Sequence, residues 1–116
     1  MVKSFLVLLL STLCSCQPQQ PFDKNKWGEE GDLMDFPNRK YMIDDLVTHY
    51  TLKGKTYKEI ISLLGESNYS PDSTYSIAYR VDIDWGAEDP VYSKDLVIYF
   101  SRDSLVQFYR LKEWKK

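Results

Sequence analysis

The chain has 116 residues, 43% hydrophobic, 15% aromatic and 28% charged, with a formal net charge of −2. That length holds one small domain. An acidic balance without a basic stripe excludes a nucleic-acid binder of the usual kind, and the only two cysteines, Cys14 and Cys16, lie near the N-terminus with Ser15 between them, which excludes a disulfide framework elsewhere.

The opening residues, MVKSFLVLLLSTLCSC, stand apart from the rest. Lys3 precedes an apolar run from Phe5 to Leu10 that continues weakly to Leu13. As a helix the run from 5 to 13 rises about 14 Å, roughly half the hydrocarbon core of a bilayer. It is too short to span and has the form of a secretory signal. Leu13-Cys14-Ser15-Cys16 resembles the lipobox of bacterial lipoproteins, with Cys16 in the lipidated position, although Cys14 is an uncommon occupant of its site. The expectation is a lipoprotein signal peptide over residues 1–15, lipidation at Cys16 and an address at the outer membrane. Removal of the signal takes Lys3 with it and moves the net charge from −2 to −3. The three acyl chains that the resemblance implies would hold the protein stably, where one chain holds only marginally.

Residues 16–37 then read as the lipidated cysteine followed by a flexible tether. The stretch QPQQPFDKNKWGEEGDLMDFP has three prolines, two glycines and five acids, with no sustained apolar period. Phe22, Trp27, Leu33, Met34 and Phe36 are more apolar than a linker requires. Some of them are expected to pack onto the domain or stand exposed; the alternative is a segment that orders on a partner.

The domain is expected over residues 38–116. Met42, Ile43, Leu46, Val47 and Tyr50 recur at three- and four-residue spacing, which predicts an amphipathic helix from Asn38 or Arg39 onward. Gly54-Lys55-Thr56 has the look of a phosphate-loop ending. That loop requires a second glycine five residues earlier, where His49 stands, and a preceding strand where this chain reads as helix. Nucleotide is therefore not an expected ligand. The letters have a better explanation: Thr56-Tyr57-Lys58-Glu59 is a capping box opening a helix that runs to Leu64, with Ile60, Ile61, Leu63 and Leu64 buried and Gly65 ending it. From Tyr75 the period changes to two. Tyr75, Ile77, Tyr79, Val81, Ile83 and Trp85 are predicted on one face of a strand, opposite Ser76, Ala78, Arg80, Asp82 and Asp84. A second strand at Asp95–Phe100 and a third at Leu105–Leu111 follow. The fold class is α+β, two helices packed on one face of a three-stranded antiparallel sheet in the order α-α-β-β-β.

Little in the sequence suggests chemistry. His49 is the one histidine, on a helix surface, and no catalytic residue, cofactor or metal is expected. The acids of the 82–89 loop depart from a calcium loop, because Gly86 comes one place early and Pro90 interrupts. The nine tyrosines and three tryptophans are read as core packing, with one exception. Val97 and Tyr99 alternate with core-facing Leu96, Ile98 and Phe100, so they are candidates, with Phe108 in the same strip, for an exposed partner-binding face, covered at most by Trp27 or Phe36.

Leu52-Lys53-Gly54-Lys55-Thr56-Tyr57-Lys58-Glu59-Ile60 and Leu63-Leu64-Gly65, after a lipobox and before three strands, resemble the SmpA/OmlA (BamE-like) outer-membrane lipoproteins over about Asp44 to Leu111. Ser67 departs from the proline usual there. The resemblance implies the α-α-β-β-β fold, also seen in β-lactamase-inhibitor-type proteins, and a non-enzymatic accessory role in β-barrel assembly. The expected function is thus a lipid-anchored protein-binding module of the bacterial envelope, with membrane and protein as partners. An envelope inhibitor that occludes an enzyme is the alternative.

Overall fold

The computed structural model describes residues 19–71 and 75–116; the expected signal peptide and Cys16 lie outside them. Three helices, α1 (Lys24–Trp27), α2 (Arg39–His49) and α3 (Tyr57–Leu64), precede strands β1 (Ser76–Trp85), β2 (Pro90–Phe100) and β3 (Val106–Lys115). The strands form one antiparallel sheet in the order β1-β2-β3. The helices lie against one face of it, so the α+β architecture is as expected, with α1 as an addition.

The capping box is present. Thr56 Oγ1 accepts from Glu59 N at 3.1 Å, and Glu59 Oε1 accepts from Thr56 N at 2.8 Å. The Thr56 amide holds the Glu59 carboxyl below the ordinary glutamate range. Its stabilisation is therefore present above that range and is lost as pH falls through the lower folded value. Ile60 and Leu64 are buried, while Ile61 and Leu63, expected to be equally buried, are half-buried against the core. The helix ends at Gly65, whose φ of 82° and ψ of −169° lie where a side chain is strained.

The core takes in more of the chain than the sequence suggests. Trp27, Met42, Leu46, Ile60, Tyr79, Leu96 and Ile98 all have no exposed surface, and they share one cluster with Val81, Phe100 and Val106. The expected boundary at residue 38 therefore has to be corrected: the described part of the presumed tether does not stand off from the domain. Asp23 caps α1 by accepting from Asn25 N and Lys26 N, and α1 delivers Trp27 to the core. Gln20 N donates to Tyr41 O at 2.7 Å, and Phe22 N to Asp45 Oδ2 at 2.7 Å. His49 Nδ1 lies 2.7 Å from the other oxygen of Asp45, so the lone histidine braces the carboxylate that pins this segment.

Arg39 joins these parts. Its side chain is buried, with Nε donating to Trp27 O at 2.8 Å and one terminal nitrogen donating to Asn68 Oδ1 and Arg80 O, both at 2.9 Å. The guanidinium lies 3.6 Å from the ring centre of Phe36 and 4.8 Å from that of Trp27. Burial lowers its pKa to about 10, which still leaves it charged at neutral pH.

Of three extra residues in the sheet, Val91 lies near the end of β2 and the other two, in β1 and β3, decide which side chains face the helices. Tyr79 pairs with Leu96 and Arg80 with Asp95, but Asp82 pairs with Lys94, leaving Val81 as a bulge. Ile83 then faces Ser93, on the same side as Asp95. The expected single face running from Tyr75 to Trp85 is thus broken: Tyr79 and Val81 enter the core, and Ile83 moves to the sheet's other side. In β3, Phe108 pairs with Tyr99 and Val106 with Phe100. Gln107 is the extra residue, and it lets Val106 enter the core while Phe108 turns away.

Thr56→Ala should lower the unfolding free energy by about 1 kcal/mol through loss of the cap. Gly65→Val should cost more, because a β-branched residue resists positive φ. Equilibrium urea denaturation of both variants checks this. Arg39→Ala should cost about 3 kcal/mol, since the buried Trp27 carbonyl and the part-buried Arg80 carbonyl lose a donor and the rings of Trp27 and Phe36 lose their cover. Arg39→Lys should fail to restore the loss, because a single ammonium cannot reach partners arranged for a planar fork. The same denaturation midpoints give the readout.

Candidate recognition surface

The sheet face turned away from the helices carries Ala78, Arg80, Asp95, Val97, Tyr99, Phe108 and Arg110, as the pairing register places them. The two residues expected to be exposed here behave differently. Val97 has no exposed surface, which overturns its assignment to an open partner-binding face. It sits on the central strand between Ala78 and Arg110, and neither expected cover lies over it. Trp27 packs on the helix side near Tyr79, and Phe36 lies against Arg39. Tyr99 is half-buried and stacks on Phe108, ring centres 4.5 Å apart and planes 15° from parallel. Tyr99 and Phe108 thus form the pair on this face, with Phe108 the more exposed at 48%.

Part of the face is occupied by the chain itself. Tyr69 forms an antiparallel bridge with Ala78 at the outer edge of β1. Its hydroxyl donates to Asp95 Oδ2 in a short hydrogen bond, so its side chain crosses over β1 to the central strand. Arg80 Nε donates to the other Asp95 oxygen at 2.6 Å. Burial, then the bond to Asp95, pushes the Tyr69 phenol up to about 12. This cluster forms the floor of a cleft of about 300 Å³, walled by Leu33, Ile83, Trp85 and Pro90.

Burial falls away along the sheet. The first half of β1, the last half of β2 and the first residue of β3 are buried, and the opposite end is not. At that far end Trp85, Leu111 and Trp114 are exposed at 43%, 37% and 48%. Tyr92 donates its hydroxyl to Glu113 at 2.6 Å, tying β2 to β3 there and pushing the Tyr92 phenol up to about 12. β3 is locally basic, with Arg110 and Lys112 on one face and Lys115 on the other. β3 carries Arg110, Lys112 and Lys115 against Glu113 alone, in a chain of net charge −2.

The strand alternation thus put Tyr99 on the side of the sheet where the pairing register places it. Phe108, expected in the same strip, lies beside Tyr99, while Trp114, read as part of a tail, belongs to β3. No three His, Cys, Asp or Glu side chains converge on a metal position among the described residues, and no helix there is long and apolar enough to cross a membrane. Comparisons with protein-family models, with curated proteins and with solved structures give no match.

Val97→Ser should destabilise the domain by about 2 kcal/mol, since it places a hydroxyl in an apolar, fully buried site. Phe108→Ala should change stability by less than half as much, because about half of the ring is already in water. Thermal denaturation of the two variants separates a buried centre from an exposed margin on the same face.

Proposed function

We propose that this chain is a lipid-anchored, non-catalytic protein-binding module of the bacterial cell envelope. The observation that carries the reading is the uncovered end of the sheet. There a small domain exposes Trp85 and Trp114 on the face turned away from the helices and Leu111 on the other, although each would be stabilised by burial. Aromatic side chains with a basic margin are the composition favoured at protein interfaces. The histidine, the group most often used for proton transfer at neutral pH, is engaged in holding Asp45 and through it the N-terminal segment. The lipobox-like Leu13-Cys14-Ser15-Cys16 supports attachment through Cys16.

The resemblance of Gly54 through Gly65 to the SmpA/OmlA lipoproteins makes the subunits of outer-membrane β-barrel assembly the first partners to test. Capture from detergent-solubilised envelopes with the full lipidated chain, followed by identification of the retained proteins, is the experiment. Barrel-assembly subunits are the expected result. A single hydrolase, inhibited on capture, would support instead the enzyme-occluding alternative, and an empty capture would overturn the binding module. Cys16→Ser should abolish fatty-acid labelling and release the protein from membranes; release by Cys14→Ser alone would move the attachment site.

A further inference from the structure

We infer that the outer edge of β3 accepts an extended acidic segment of a partner protein as a fourth strand of the sheet. This deepens the protein-binding reading above and rests on it. The sheet order leaves β3 with a neighbour on one side only. At its start the other side is already paired by the chain itself: Gly54 N donates to Val106 O at 2.9 Å, and Val106 N donates to Lys55 O at 2.8 Å. Beyond Val106 that pairing stops among the described residues. Lys116 N donates inward to Val91 O at 3.0 Å. Strand alternation then turns the N–H and C=O of Tyr109, Leu111, Glu113 and Lys115 outward. The edge is a row of main-chain groups that continues the line begun by residues 54–55.

Charge selects the occupant. A second copy of β3 laid along this edge would bring Arg110, Lys112 and Lys115 near their own counterparts, and like charges facing across strands are destabilising. An acidic strand reverses the sign of that interaction. Carboxylates at alternate positions would meet Arg110 and Lys112 on the face that also carries Phe108 and Trp114. Apolar residues between them would lie beside Tyr109 and Leu111 on the other face. A strand, rather than an anionic membrane surface, is favoured by the main-chain row, whose alternating donors and acceptors only another backbone matches.

The test uses the full chain and a nine-residue peptide of alternating valine and glutamate with blocked ends. Saturable binding is expected, read from Trp114 fluorescence in a variant lacking the other tryptophan at the sheet end, Trp85→Phe. Amide exchange should slow at Tyr109, Leu111, Glu113 and Lys115. Replacing glutamate by lysine in the peptide, N-methylating its alternate amides, or introducing Arg110→Glu with Lys112→Glu should each weaken binding tenfold or more. Leu111→Pro should do the same while keeping the fold, because it removes an N–H that points away from β2. If that variant unfolds, the N-methylated peptide decides the point. Absence of saturable binding up to about 1 mM would overturn the proposal. So would indifference to N-methylation, or binding through Arg110 and Lys112 only to vesicles of one part anionic to three parts zwitterionic phospholipid. An envelope protein captured by the chain but cross-linked to α2 or α3 would leave the binding module standing and remove strand addition alone.

Discussion

A single buried cation organises this fold. Taking a guanidinium out of water costs several kcal/mol, and among the described residues no carboxylate is in hydrogen-bond contact with Arg39 to offset that cost. Two main-chain carbonyls, one side-chain amide and the faces of Phe36 and Trp27 stabilise it instead. Each partner belongs to a different part of the chain. Trp27 comes from the segment before the domain's first long helix, Asn68 from the loop after α3, and Arg80 from the rim of a β-bulge. The arrangement is stable only when all are present together, so it couples the N-terminal segment to the sheet. Tyr79 works in the same region, donating its hydroxyl to Gly65 O at 2.7 Å while its ring lies against Trp27.

The bulges at Val81 and Gln107 divide the sheet between two tasks. Without them, pleat geometry would keep Tyr79, Val81 and Ile83 together on one side, and Val106 with Phe108. With them, the aliphatic residues needed for the core turn inward and Ile83 and Phe108 turn outward. The inward set closes the hydrophobic cluster beneath the helices. The outward set, with Tyr99, Trp85 and Trp114, becomes the surface assigned here to recognition. Core and recognition surface are thus separated by one extra residue in each of two strands. The basic side chains of β3 follow the same division, since Arg110 lies beside Phe108 on the outer face and its charge sits at the sheet's margin.

The sequence by itself determined the parts that depend on near neighbours. The period of Met42, Ile43, Leu46 and Val47, the Thr56–Glu59 cap, Gly65 and the change to period two at Tyr75 are all local signals. Each one corresponds to an element of the structure, because caps and amphipathic periods are settled within one or two helical turns or across one pleat. The choice of sheet face and of Tyr99 followed from the same alternation. What only the tertiary structure decided is everything that needs two distant segments at once. A Gln/Pro-rich, acidic stretch does not reveal that Trp27 will fill the core, because its partners Arg39, Phe22 and Tyr79 reach it only after the chain has folded back. Burial of Arg39 is invisible in a helix whose first turn otherwise reads as solvated. Val97 looks like any outward alternate residue until Tyr69 crosses β1 and the central strand is flanked on both sides. The bulges carry no composition of their own: a bulge is a mismatch in length between paired strands, and pairing exists only in three dimensions.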